Sequence, residues 1–116
     1  MDDFTNPPQF WIGDLLVVPG RNMVVRNREE IPLQPRMMAA LILLAEQAGK
    51  VISCERLLIT IWGTEVYGDN LVQKAISSLR KSIDDLPRNP RYIETVPRIG
   101  YRLIASVSPP ERQPPI

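Results

Sequence analysis

A set of residues between positions 70 and 81 has side chains suited to reading base edges and holding phosphate: Asn70, Gln73, Lys74, Ser77, Ser78, Arg80 and Lys81. Amides and lysine donate to or accept from base edges, short serines permit close approach, and cations neutralise phosphate. Their spacing makes them one surface. At about 100° per residue, Asn70, Lys74, Ser77, Ser78 and Lys81 share one side of a helix, with Gln73 and Arg80 on its borders. Val72, Ile76, Leu79 and Ile83 fall in a narrow opposite sector flanked by Ala75. The presented side carries no acid until Asp84 and Asp85 at the helix end, whereas surface helices normally mix signs. Downstream, Pro97, Arg98 and Gly100 form a tight basic turn between the β-prone runs Tyr92 to Val96 and Tyr101 to Ile104. The glycine is available for a φ > 0 position of that turn. A helix beside a basic hairpin can enter one groove of a duplex and touch the next.

Charge is distributed in the same sense. The net charge is only +1, but residues 69–104 hold seven basic and four acidic side chains, while residues 1–68 hold six and eight. The stretch that carries the helix and hairpin is the cationic part of a nearly neutral protein. With no histidine in the chain, a Ser-His-Asp triad, a Cys-His pair and any His-containing zinc site are excluded, and a single cysteine cannot form an internal disulfide. No cofactor or metal is expected, and no enzymatic activity. The longest apolar run, Met37 to Ala45, is about half of the ~20 residues that a membrane span needs.

The elements that must position this surface follow in order. Residues 1–9 are polar and proline-bearing and are expected to be a flexible N-terminus. FWI, LLVV, MVVR and EIPL, separated by turn residues, predict a four-stranded antiparallel meander. Pro35 suits the first position of a first helix, which is apolar almost all round and therefore packed on two sides, with Gly49 as its stop. Ser53 caps a second helix, Glu55 to Trp62, and Asp69 can cap the third. Residues 10–105 make the single domain; residues 106–116, rich in proline, are expected to be an extended linker outside it.

AISSLRKSI on the third helix, YIETVPRIGYRL at the end and GKVISCERLLITIWG around the second helix resemble the OmpR/PhoB-type winged-helix DNA-binding domain. The resemblance covers nearly the whole chain. It implies an α+β fold: a winged helix-turn-helix with an N-terminal four-stranded antiparallel sheet, three helices and a C-terminal β-hairpin wing. TVPRIGYRL together with NLVQKAISSLRK is most similar to the ToxR/CadC-type one-component regulators, which carry the domain at the N-terminus and continue into a linker, a membrane helix and a periplasmic sensor. The resemblance implies cytoplasmic double-stranded DNA binding in transcription regulation, tethered to a membrane only through a segment absent from this chain, with a homodimer on DNA. By position, Asn70, Gln73, Lys74 and Ser78 would face bases or nearby phosphates. Ser77, Arg80 and Lys81 would mainly hold phosphates, and Thr95 and Tyr101 would add backbone contacts. Many relatives place arginine where this chain has Pro97, which moves the expected minor-groove contact to Arg98. Glu65, Val66 and Tyr67 occupy a loop that in the family touches RNA polymerase. Gln34 stands where Thr or Ser is common, weakening the first helix cap.

Alternatives stand beside these assignments. Lys74 can donate to guanine O6 and N7 or contact phosphate. Arg80 can hold phosphate or pair with Glu94. Arg98 can read a narrow minor groove or remain a solvated turn residue. Cys54 reads as a small filler or a redox-sensitive thiol, and Trp11 and Trp62 as core rather than stacking platforms. Asp84 and Asp85 lack a partner for acid–base work. The competing function is a winged-helix interaction module docking on RNA polymerase or another regulator.

Overall fold

The computed structural model describes residues 8–63 and 70–110. The meander forms where short apolar runs separated by turn residues predict it: β1 (Phe10–Ile12), β2 (Leu15–Val18), β3 (Met23–Arg26) and β4 (Glu29–Pro32), each antiparallel to the last. The β3–β4 connection is a two-residue loop, Asn27-Arg28, with φ of 52° and 68°, the positive values that a twist-matched hairpin turn requires. Three helices follow: α1 (Pro35–Glu46), α2 (Cys54–Trp62) and α3 (Asn70–Ser82). Pro35 opens α1, and Gln34 makes no side-chain cap bond, whereas the Ser53 hydroxyl accepts from the Arg56 amide at the start of α2. Glu46 ends α1; Gly49, at φ 84°, turns the chain towards the next strand.

That strand, β5 (Val51–Ser53), is missing from the sequence reading. It pairs with β7 (Gly100–Leu103), which also pairs with β6 (Ile93–Val96). The expected two-stranded wing is therefore anchored in a three-stranded sheet. A second departure concerns the tail. Val107–Ser108 forms β8, antiparallel to β1, so the N-terminal sheet has five strands in the order β4-β3-β2-β1-β8. Two further bonds fasten this strand, from the Gly13 amide to the Ser106 carbonyl (2.8 Å) and from the Trp11 indole to the Pro110 carbonyl (3.2 Å). The folded unit thus runs past residue 105, because unpaired groups on β1 provide a ladder that composition does not reveal.

A continuous core lies around α1. Met37, Met38, Ala40, Leu41, Leu43 and Leu44 are buried, and they sit between the meander (Ile12, Leu15, Val17, Val24) and the second layer (Leu57, Ile76, Leu79, Leu103). Full burial of side chains of this size stabilises by about 1.5–3 kcal/mol each.

Polar contacts join the layers at the end of α3. Arg26 of β3 donates to the Ile83 carbonyl (3.0 Å), the Tyr92 hydroxyl (3.3 Å) and Asp84 (3.2 Å), and the Tyr92 hydroxyl donates to Asp14. Asp85, buried, accepts from the amides of Arg91 (2.6 Å), Tyr92 (3.2 Å) and Ile93 (2.9 Å). Both aspartates therefore have structural partners. Burial pushes the Tyr92 phenol above its ordinary range, and its bond to Asp14 pushes in the same direction, keeping it a donor.

Gly100 is required for a different reason from the expected positive φ: its φ is not in the left-handed region. A Cβ at Gly100 would stand 1.9 Å from the Ile52 carbonyl oxygen, so only glycine lets β5 and β7 approach. Gly100→Ala is expected to cost at least about 1–3 kcal/mol by overpacking, measured as a lower urea midpoint. Gly20→Ala is the matched control, since nothing lies within 4 Å of a Cβ there.

Candidate nucleic-acid interface

The two faces of α3 separate as its periodicity predicts. Val72, Ile76 and Leu79 are buried against the core, with Ile83 just beyond the helix, while Asn70, Gln73, Lys74, Ser77, Ser78 and Lys81 are exposed. Helix propensity is ordinary here; burial of the apolar stripe fixes the helix, and that stripe determines which side chains point outward.

Arg80 departs from the expected phosphate contact. It is 7% exposed, and one terminal nitrogen donates to the Ile93 carbonyl and the Thr95 hydroxyl, both at 2.8 Å. Its guanidinium carbon lies 5.8 Å from the centre of the Tyr101 ring. Glu94, the alternative partner, is bound by Arg102 instead. Arg80 therefore faces inward and joins α3 to the wing. Its border position on the helix was readable; the acceptors that draw it inward lie on β6, out of reach of helical periodicity.

Tyr101 is likewise buried, at 7% exposure, which corrects its reading as a surface contact. Burial pushes its phenol above the ordinary range. Thr95 is exposed, but its hydroxyl oxygen already accepts from Arg80.

Arg98 projects from the wing tip. The Ile99 amide donates to the Val96 carbonyl (3.0 Å), with Pro97 in the second turn position and Arg98 in the third at φ 68°. This is the arrangement of a type II turn, whose third position favours glycine. The Ile99 carbonyl accepts from the Cys54 amide (3.1 Å), tying the tip to the start of α2. Arg98 is exposed beside an exposed Ile99. Glu65, Val66, Tyr67 and the Asp69 cap lie outside the described residues.

On its other flank α3 meets a cleft of about 200 Å³ whose lining includes Gln34, Arg36, Trp62, Lys74 and Ser78. Trp62 is half-buried, packed against the edge of the core, with the Arg36 guanidinium carbon 5.4 Å from its ring centre. The sequence reading did not single out Arg36. Among the described residues no His/Cys/Asp/Glu group could hold a metal ion, and no helix is long and apolar enough to cross a membrane.

A cation-bearing helix face, free of acids and braced against a basic hairpin, on three helices and antiparallel sheets, defines a winged-helix DNA-binding domain. The family model described as "Transcriptional regulatory protein, C terminal" matches residues 28–103, and the chain belongs to that family, the OmpR/PhoB type. Its members are DNA-binding regulators, not enzymes. Among curated relatives, the transcriptional activator CadC of Escherichia coli (strain K12) is 36% identical over 101 residues, spanning 86% of this chain and 20% of CadC. The regulatory protein AfsQ1 of Streptomyces coelicolor is 33% identical over 92 residues, 78% of this chain and 41% of AfsQ1. The chain thus spans about a fifth of CadC and about two fifths of AfsQ1. The solved DNA-binding domain of E. coli CadC superposes with a TM-score of 0.78 at 34% identity, covering 90% of this chain and 98% of that domain. The Klebsiella pneumoniae RstA DNA-binding domain, solved in complex with the RstA box, gives 0.75 at 30% identity, covering 84% and 98%.

Replacing Arg80 with methionine removes the charge but leaves the Ile93 carbonyl and Thr95 hydroxyl without that donor. Arg80→Met is expected to cost about 2–4 kcal/mol in a urea unfolding series. Lys81→Met, an exposed change one residue away, should stay within about 0.5 kcal/mol of the parent.

Proposed function

We propose that this domain binds double-stranded DNA sequence-specifically, with α3 in the major groove and the wing in the adjacent minor groove. The observation that carries the reading is the acid-free exposed face of α3, held beside the Arg98 turn by the buried Arg80 bonds. Lys74, Asn70, Gln73 and Ser78 face the base edges. Lys74 is the group suited to donate to guanine O6 and N7. Ser77 and Lys81 hold phosphates, and Thr95 borders the backbone on the wing side. Arg98 enters the minor groove, where a narrow A·T-rich segment concentrates negative potential. RstA, a relative of the same fold, is solved with its DNA box, which supports duplex DNA as the partner class.

The domain serves as the DNA-binding output of a one-component regulator on the cytoplasmic side of a membrane, with two copies on adjacent half-sites. Similarity to the transcriptional activator CadC supports the regulatory part of this role. The proline-rich composition of residues 109–116 suits a linker in a protein of that kind.

A mobility-shift titration over promoter fragments and random duplex, at several salt concentrations, tests the surface. Lys74→Ala is expected to weaken binding by about 1–3 kcal/mol and to relax preference at one base pair. Arg98→Gly separates stability from function. It relieves the positive φ, stabilising the fold by up to about 1 kcal/mol, yet it weakens binding to A·T-rich sites. Parent-like binding by both variants would overturn the assigned surface; a parent with no duplex affinity and no steep salt dependence would favour a protein-docking module.

A further inference from the structure

The major groove is walled by two phosphate backbones, and the site described so far addresses one of them. The flank of α3 that carries Ser77 and Arg80 adjoins the wing through the Arg80–Thr95 bond. The opposite flank, through Lys74 and Ser78, adjoins the cleft formed with Arg36 and Trp62. We infer that Arg36, at the start of α1, holds a backbone phosphate on the wall of the major groove opposite the wing, so that the duplex is clamped between α1 and the wing. This rests on the proposed placement of α3 in the groove.

Three observations carry it. Arg36 is exposed, and the ion pairs formed among the described residues, Arg26–Asp84 and Arg102–Glu94, do not engage it. Its guanidinium is nevertheless not loose: the half-buried Trp62 ring holds it by a cation–π contact at 5.4 Å. An arginine fixed by its carbon face keeps its N–H fork available to donate to phosphate oxygens, with less entropy to lose on binding. Third, the cleft it lines is shared with Lys74 and Ser78, two residues of the presented face, so a strand lying against α3 passes Arg36. The Gln34 amide lines the same cleft and can add a neutral contact. A phosphate contact in this place carries no sequence information; it sets the register in which Lys74 meets a base.

The experiment is fluorescence anisotropy with the duplex that the parent domain binds best and with a scrambled duplex. The variants are Arg36→Ala, Arg36→Gln and, as reference, Lys74→Ala. Loss of one phosphate contact should weaken Arg36→Ala and Arg36→Gln on both duplexes alike, on the order of five-fold, and make the salt slope shallower by about 1. Duplexes bearing one neutral methylphosphonate, walked along each strand, locate the phosphate. At one position, on the strand opposite the wing contact, the substitution weakens the parent but not Arg36→Ala. Equal thermal midpoints and far-UV circular dichroism assign the loss to contact rather than to a disturbed fold. Arg36 variants that match the parent in affinity, slope and methylphosphonate profile, while Lys74→Ala is weakened, would overturn this inference alone. If the parent binds neither duplex, the groove placement falls, and this inference falls with it.

Discussion

The geometry of the recognition surface depends on one buried cation. Among the described residues no carboxylate neutralises Arg80; backbone and hydroxyl dipoles at Ile93 and Thr95, and the face of Tyr101, hold it instead. A desolvated guanidinium costs several kcal/mol unless its partners sit in good geometry, so wing and helix cannot drift apart without exposing that cost. Its Nε has no partner among the described atoms, which leaves the contact lopsided and concentrated on one terminal nitrogen. The charge that helical periodicity places on the border of the presented face thus serves as the pin between helix and wing.

The far end of α3 is fixed by a second kind of contact. Arg26 reaches across from the meander to the Ile83 carbonyl, where the negative end of the helix dipole favours a cation. Asp85 then gathers three consecutive amides and turns the chain into β6. Together with the apolar stripe beneath α3, these bonds make helix and wing one rigid body. Binding such a body to DNA requires little ordering of the protein, and the free energy of contact is not consumed in assembling the site.

Much of this was legible in the sequence. The meander strands follow from short apolar runs punctuated by turn residues, α1 from its all-round apolarity, and the two faces of α3 from the helical period, because each signal lies within one local stretch of sequence. The strands β5 and β8 are three and two residues long and are made by pairing with distant partners; no local period can announce them. The readings of Arg80, Tyr101 and Gly100 missed for one shared reason: each is decided by a neighbour across the fold, respectively Ile93 and Thr95, the wing interior, and the Ile52 carbonyl. Arg36 was overlooked because Trp62 and Lys74 become its neighbours only when α1, α2 and α3 pack.

The short strand β8 has a mechanical meaning. Any tension applied from beyond Pro110 first meets the Trp11 indole bond, the two β1–β8 residue pairs and the Gly13–Ser106 bond. Only when those yield does load reach Ile104, whose amide is bonded to the Tyr92 carbonyl, and then β7, the inner strand of the wing. β8 is thus a strain relief: it can peel from the sheet edge and absorb a tug while Gly100 and Arg98 keep their places.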